Sequence, residues 1–288
     1  VWVAVFITYL WGGMVIGRNP AEVTEGLHVA VVQGNVSIAP GEDGEGADEL
    51  LARYSEQTQD LSKDVRLVVW PETAVPAYLN QQPQMREAIA GLAVDLDTYM
   101  LVGALEKVNS NIYNTAYLFA PDGHIADTYR KNDLVMFGEW VPYRESLPLV
   151  DRYPIRAWDF TPGQRREVMD VDDVEISPII CFEGIFPKAA REATRLDAEC
   201  LVVLNSDAWA DRSPEIMLNS QTAPLRAAES RRFLLRAAST GVSGVYDPYG
   251  RPADTVAANE AGSATAVVRP RDTLSTYHKW GDAPVIVI

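Results

Sequence analysis

Apolar residues recur along this chain in short runs, and three of the runs stop beside a side chain capable of chemistry. The run at 174–180 is rich in Ile and Val and is followed by Cys181. The run at 66–70 leads to Glu72, and the segment 127–130 leads to Lys131. Short runs of this composition are typical of buried strands. The pattern therefore predicts three strands whose ends carry a thiol, a carboxylate and an ammonium group.

The remaining pattern alternates between strand-like and helix-like segments, which is the arrangement of an α/β fold. A strand is predicted at 27–33, a loop at 37–46, a hairpin at 100–105 and 113–119, and final strands at 242–246 and 264–268. Helical spacing of apolar positions is found at 47–61, 84–96, 187–196 and 215–238. The last of these helices would place Arg226 and Glu229 close enough to pair, and we expect them and Arg236 to be structural.

The first 17 residues carry no charge. A helix of that length spans about 25 Å, which is less than the roughly 30 Å of a bilayer core. The pattern indicates part of a transmembrane helix, although a buried helix of the domain is an alternative. A second apolar run begins at the other end, at 283–288. We expect a partial transmembrane helix at 1–17, a linker at 18–26, a catalytic domain at 27–270 and an extension at 271–288 that leads into a further membrane segment.

A thiol, a carboxylate and an ammonium group at three strand ends can together perform acyl transfer. The carboxylate takes the thiol proton, the sulfur attacks a carbonyl, and the fixed cation stabilises the oxyanion. The alternative for Cys181 is a core cysteine, because free cysteines are often buried. Histidine is not required by this scheme, and we expect the three histidines, His28, His124 and His278, to be surface or structural residues.

The segments around these residues resemble the carbon-nitrogen hydrolase (nitrilase) superfamily. They are WPETAVP at 70–76, YRKNDLVMFGEWVPYRE at 129–145 and ICFEGIFP at 180–187. The similarity continues through LVVLNSDAW at 201–209, QTAPLRAAESRRFLLRAASTGVSG at 221–244 and DPYGR at 247–251. It implies an α-β-β-α sandwich of two packed mixed sheets, with Cys181 as nucleophile, Glu72 as general base and acid, and Lys131 as oxyanion stabiliser.

More narrowly, the segments are similar to the branch of that superfamily that acylates bacterial lipoproteins. This similarity implies a phospholipid as acyl donor, the N-terminal amine of a diacylglyceryl-cysteine lipoprotein as acceptor, and a cysteine thioester between the two steps. It also implies a place in the bacterial inner membrane, with the catalytic domain on the extracytoplasmic face, and no cofactor or metal. The loop at 36–46 departs from the branch, which has a basic and aromatic stretch there.

Three further residues are assigned from the same motifs. Glu139 lies eight residues after Lys131, and the matching acid of the family helps to fix the site; a solvated loop acid is the alternative. Glu183 points to the side of Cys181 if the alternation of the strand continues, and otherwise it caps the next helix. Phe182 stands where the family more often has tyrosine, so any role it has is one of packing. The stretch 134–145 has no regular periodicity and is expected to be a loop over the site.

Composition narrows the choice of function. The net charge is −15, and no basic cluster is longer than the pair Arg231 and Arg232, so nucleic acid is not expected as a partner. The two cysteines fit neither a disulfide framework nor a zinc pattern, and Cys200 is expected in the core.

Two other functions remain as alternatives to the acyltransferase. One is a soluble amidase of the same superfamily acting on a small amide, and the other is an interaction module without activity; the apolar ends and the aromatic loop favour the acyltransferase.

Overall fold

The apolar runs of the sequence form two mixed β-sheets covered by helices. A computed structural model describes residues 2–17, 25–36, 46–141, 159–207 and 214–281. The strands are β1 Leu27–Gln33, β2 Leu67–Val69, β3 Val75–Tyr78, β4 Tyr99–Val108, β5 Asn111–Phe119, β6 Ile125–Arg130, β7 Met169–Val171, β8 Val174–Ile180, β9 Cys200–Asn205, β10 Phe233–Ala238, β11 Ser243–Tyr246, β12 Pro252–Val256 and β13 Gly262–Val268. The helices are α1 Trp2–Gly17, α2 Ala47–Gln59, α3 Pro83–Leu96, α4 Pro187–Arg195, α5 Pro214–Ser220, α6 Thr222–Ser230 and α7 Thr276–Trp280.

The first sheet has the strand order β13-β1-β2-β4-β5-β6, with β3 beside β4, and the second has the order β12-β11-β10-β9-β8-β7. Parallel pairs, such as β1 with β2 and β8 with β9, lie beside antiparallel pairs, such as β4 with β5. Both sheets are therefore mixed, as the sequence similarity implies. Strands β2, β6, β8 and β9 end on residues that lead directly into the candidate site.

The core lies in three layers, which explains why many strands are apolar on both faces. Val29 and Val31 of β1 pack between the two sheets, whereas Ala30 and Val32 of the same strand pack against the helices outside the first sheet. Helices α2 and α3 supply that outer layer, and α4 and α6 supply the matching layer outside the second sheet. The order helix, sheet, sheet, helix confirms the predicted α-β-β-α sandwich.

The predicted helix at 215–238 is wrong in its second half. Helix α6 ends at Ser230, and Arg231 adopts a left-handed conformation with φ 55° that closes the helix. Residues 233–238 then form β10, which pairs in parallel with β9 over its whole length. Pairing with a buried strand therefore outweighs the helical spacing of the segment. Arg236, expected on the helix, lies on this strand, while Arg226 and Glu229 do pair on α6, at 3.0 Å.

The N-terminal apolar segment is helix α1, which exposes large apolar side chains including Trp2, Phe6 and Trp11. Within the described ranges, none of the helices combines the length and the apolar character that a membrane crossing needs. The transmembrane assignment of 1–17 therefore stays a prediction. Several expectations lie outside the described residues, namely most of the linker, most of the loop at 36–46, residues 142–145 of the site loop and the C-terminal apolar run.

Candidate active site

Cys181 sits at a sharp turn directly after β8. Ile180 is still extended, with φ −105°, whereas Cys181 has φ 53° and opens a short 3₁₀ helix, Cys181–Ile185. A left-handed conformation costs a residue with a side chain about 1 kcal/mol. Strained backbone positions of this kind cluster at active sites and ligand-binding sites, where the surrounding structure holds them in place. Cys181 is partly exposed and packs against the edge of the core between the sheets. Cys200, in contrast, is buried in that core, as expected.

Glu72 follows β2 on the other sheet and is almost completely buried, with 6% of its surface exposed. The chain leaves β2 through Trp70, whose backbone N–H donates to the Leu101 carbonyl at 2.9 Å. It then passes so close to β4 that a Cβ on Gly103 would lie 2.2 Å from the Pro71 oxygen and 2.7 Å from the Glu72 Cα. Glycine at 103 is therefore what allows the Glu72 backbone to reach this position.

Lys131 follows β6, and its ammonium group is fully buried. The Nζ atom lies 2.7 Å from Glu139 Oε1 and 3.5 Å from Glu72 Oε1. The second oxygen of Glu139 accepts the backbone N–H of Val135 at 2.8 Å, which ties the loop 134–141 to the lysine. Since an unpaired buried ammonium would be very unfavourable, the two carboxylates are what stabilise the charge there. Glu139 is thus brought to Lys131.

The carboxylate of Glu72 is surrounded by donors. Its Oε1 accepts from Asn114 Nδ2 at 2.7 Å, and its Oε2 accepts from the backbone N–H of Ser206 at 2.8 Å. The Cys181 thiol lies close enough to this carboxylate for the charge of Glu72 to raise the pKa of the thiol. The structure therefore brings Cys181, Glu72 and Lys131 together. Neither Asn114, on β5, nor Ser206, after β9, was singled out from the sequence, although Ser206 lies in the motif at 201–209.

Burial and charge set the protonation states at this cluster. Burial raises the pKa of Glu72, an effect that the charge of Lys131 opposes. Burial, together with the negative charge of Glu72, raises the pKa of Cys181 well above its ordinary value. Burial alone would lower the pKa of Lys131, but Glu72, Cys181 and Glu139 raise it instead. The resting arrangement is a neutral thiol near a carboxylate of increased basicity, beside a permanent cation.

Glu183 is placed differently from the other acids. The chain leaves the extended conformation at Cys181, so the alternation of β8 does not continue to Glu183. Its buried carboxylate accepts from the Tyr129 hydroxyl at 2.9 Å and from the backbone N–H groups of Ile180, Asn132 and Asp133 at 2.8, 2.9 and 3.0 Å. It therefore joins the residue before Cys181 to the residues after Lys131. Arg166 lies 3.5 Å away and balances the charge.

Exposed apolar side chains, here called the apolar rim, lie along the turns that carry Lys131 and Cys181. Its members are exposed over more than a third of their surface and are Met136, Phe137 and Trp140 after Lys131, and Phe182 and Phe186 around the 3₁₀ helix. The rings of Phe182 and Phe186 contact each other edge to face, with centroids 5.0 Å apart. Phe182 thus packs, as expected of a residue without a hydroxyl. Exposed apolar side chains grouped in this way are suited to an apolar ligand or a lipid surface.

The histidines are held by other partners. His28 and His124 pair with Asp64 and Asp122 at the surface, and the buried His278 contacts the Thr194 hydroxyl at 3.0 Å. Over the described ranges, no group of three or more His, Cys, Asp or Glu side chains is arranged to hold a metal ion.

Comparisons with known proteins agree with this geometry. The family model described as carbon-nitrogen hydrolase matches residues 28–276. An apolipoprotein N-acyltransferase of Geobacter metallireducens is 32% identical over 275 residues, covering 92% of this chain and 53% of the relative. One of Pseudomonas paraeruginosa is also 32% identical, over 88% of this chain and 50% of the relative. The chain spans about half the length of the curated relatives it matches.

Solved structures give the fold. A mutant of the amidase from Nesterenkonia sp. AN1 superposes with a TM-score of 0.67 at 18% identity, covering 91% of this chain and 96% of that one. A carbon-nitrogen hydrolase from Helicobacter pylori G27 superposes with a TM-score of 0.65 at 16% identity, covering 83% and 88%. At such low identity these similarities describe the sandwich architecture.

Proposed function

Because the chain belongs to the carbon-nitrogen hydrolase family, we propose that it is the catalytic part of an acyltransferase that works through a cysteine thioester. The donor is a phospholipid, and the acceptor is the N-terminal amine of a diacylglyceryl-cysteine lipoprotein. The observation that carries the proposal is the meeting of Cys181, Glu72 and Lys131 in one cluster. The names of the relatives, each an apolipoprotein N-acyltransferase, support the choice of donor and acceptor.

In the first step the sulfur of Cys181 attacks the carbonyl carbon of a phospholipid ester. Glu72 accepts the thiol proton as the carbon–sulfur bond forms, and the nearby ammonium of Lys131 stabilises the oxyanion. The tetrahedral intermediate then loses the glycerol oxygen. Glu72 returns the proton to this leaving group, so that lysophospholipid departs and the acyl chain remains on Cys181 as a thioester.

In the second step the lipoprotein amine attacks the thioester carbonyl. Glu72 accepts a proton from the amine, Lys131 again stabilises the oxyanion, and the carbon–sulfur bond breaks. The proton passes from Glu72 to the departing sulfur, which regenerates the thiol and releases the amide product. The raised pKa of Glu72 suits both steps, because a general base works best when its pKa is close to the working pH.

Other residues hold these three in place. Glu139 fixes the Lys131 ammonium, and Asn114 and the Ser206 N–H orient the Glu72 carboxylate. Glu183 positions the turns on which Lys131 and Cys181 lie. The apolar rim provides a surface for acyl chains, and helix α1 is proposed as a membrane segment. We place the catalytic domain on the extracytoplasmic face of the bacterial inner membrane.

The experiment is acyl labelling in phospholipid–detergent micelles. With a phospholipid carrying a radiolabelled acyl chain, the protein should acquire label that neutral hydroxylamine removes, as expected of a thioester. Cys181→Ala should remove the label, whereas the control Cys200→Ala, which changes the buried cysteine, should retain it. A lipopeptide with a free N-terminal amine should then discharge the labelled protein with formation of an amide.

Two results would contradict the proposal. One is undiminished labelling of Cys181→Ala, which would take the acyl group away from that sulfur. The other is rapid hydrolysis of a small water-soluble amide without any labelling by phospholipid, which is the result expected of a soluble amidase.

A further inference from the structure

Three arginines surround one tyrosine ring at the turn between β11 and β12. The guanidinium carbons of Arg231, Arg251 and Arg271 lie 4.8, 5.3 and 5.7 Å from the centroid of the Tyr249 ring. Each is within the range of a cation–π interaction. We call these four residues the Tyr249 cluster. The arginines are far apart along the chain, so the sequence shows no basic run that would reveal the cluster.

The positive charge of the Tyr249 cluster is only partly balanced. Arg251 pairs with the buried Asp247, at 2.5 Å from Nη2 to Oδ2. Arg231 instead donates to the Pro248 carbonyl at 3.2 Å, and Arg271 donates to the Tyr249 hydroxyl at 3.5 Å. Among the residues that the structure describes, no carboxylate lies within ion-pair distance of either of these two guanidinium groups. Like charges held around one ring repel each other, and an anion between them would remove that repulsion.

The Tyr249 cluster lies away from the catalytic cluster and next to the apolar helix. Cys181 follows the carboxyl end of β8, which runs parallel to β9 and β10. Strand β11 runs antiparallel to β10, so the turn after β11 lies at the opposite end of the second sheet. There, Arg251 Nη1 donates to the carbonyl of Ile16 at 3.4 Å, near the carboxyl end of α1. The exposed side chains of α1 include Trp11 and Met14 close to that end.

We propose that the Tyr249 cluster binds the phosphate of an anionic lipid headgroup. Guanidinium groups match phosphate oxygens with paired hydrogen bonds, and two of them here have no carboxylate partner among the described residues. A cationic cluster at the end of an apolar helix lies at the depth of the headgroups when that helix enters lipid. The choice of a lipid as the molecule that carries the phosphate rests on the proposed function at a membrane. The binding of a phosphate group by the arginines does not rest on it.

The test is binding of the full chain, in detergent-free form, to two kinds of vesicle. One kind is phosphatidylcholine alone, and the other is phosphatidylcholine mixed with phosphatidylglycerol. Arg231→Gln and Arg271→Gln should each weaken binding to the mixed vesicles about fivefold, which corresponds to about 1 kcal/mol for each arginine near the surface. The matched control is Arg165→Gln, an exposed arginine before β7 at the other edge of the same sheet, and it should bind as the unmodified chain does.

The outcomes separate the possibilities. If Arg165→Gln weakened binding to the mixed vesicles equally, the effect would be one of net charge and the site would be overturned. Unchanged binding of both cluster variants, with unchanged thermal unfolding, would also overturn the site. Tight binding of inorganic phosphate that both variants abolish, without any preference for the mixed vesicles, would overturn the lipid headgroup in favour of free phosphate. If the unmodified chain bound vesicles but acquired no thioester label at Cys181, the proposed acyl transfer would be contradicted and the assignment of the Tyr249 cluster would remain.

Discussion

Replacing Glu183 with glutamine is a sharp test of how the turns that carry Lys131 and Cys181 are held together. Glu183 is fully buried, and its two oxygens accept from one hydroxyl and three backbone N–H groups and face Arg166. Glutamine keeps the size of the side chain but has one accepting oxygen and presents an NH₂ group to donors. The change therefore leaves N–H groups unsatisfied and the buried Arg166 without its closest buried counter-charge.

The expected loss of stability follows from these contacts. Removing one partner of a buried ion pair costs about 3–5 kcal/mol. Each unsatisfied buried donor costs about 1–3 kcal/mol, and the two costs overlap, so they are not added. We expect Glu183→Gln to lower the free energy of unfolding by about 4 kcal/mol. Because the N–H donors lie beside Lys131 and Cys181, kcat should fall as well, even under conditions in which the variant is folded.

The assay is equilibrium unfolding in urea, followed by tryptophan fluorescence. The matched control is Glu192→Gln, which makes the same change at one of the two other acids that face Arg166, the second being Asp133. The Glu192 carboxylate is 39% exposed and lies 3.5 Å from Arg166 Nε, so its loss should cost less than about 1 kcal/mol. A loss for Glu183→Gln no larger than that of the control would refute the role given to this buried carboxylate.

Three further changes probe other parts of the molecule. Lys131→Met should lower kcat about 10²–10³-fold in the labelling assay, because the oxyanion loses its cation; a change in KM alone would contradict this role. Gly103→Ala should displace the Glu72 backbone and reduce activity about 10²-fold, whereas Gly91→Ala, with no neighbour within 4 Å of the added carbon, should leave activity unchanged. Burial lowers the pKa of His278, so the unfolded chain binds a proton more readily and stability falls as the pH drops below about 6.5. His278→Gln should make that fall smaller between about pH 7 and about pH 5, measured by urea unfolding, and an identical fall would show that His278 does not contribute.

Much of the fold could be predicted because the strands are short, apolar and bounded by polar residues. The hairpin of β4 and β5, the strand before Cys181 and the helix after it all appear at the expected places. Glu72, Lys131 and Cys181 could be named as site candidates because each follows such a strand within a recognisable motif. Since the carboxyl ends of parallel strands meet at one edge of a sheet, strand ends are where a sequence is most informative about a site.

The rest depends on contacts that no local pattern contains. The segment 233–238 has helical spacing, but it forms β10 because β9 lies beside it. Asn114 and Ser206 bind Glu72 only because β5 and β9 reach the same place; the motif at 201–209 contains Ser206 but does not show its contact with Glu72. The role of Glu183 could not be read from strand alternation, because the backbone turns at Cys181.

The three central side chains do not come from one sheet. Glu72 and Lys131 follow strands of the first sheet, and Cys181 follows a strand of the second, so the carboxylate and the thiol meet only across the interface between the two layers. A chain emerging during synthesis, or one caught half folded, consequently carries an ordinary cysteine with no proton acceptor at hand. On the proposed mechanism, the reactivity of Cys181 therefore arises in the same event that closes the sandwich. The rate at which Cys181 becomes reactive during refolding would then report the rate at which the two sheets pack together.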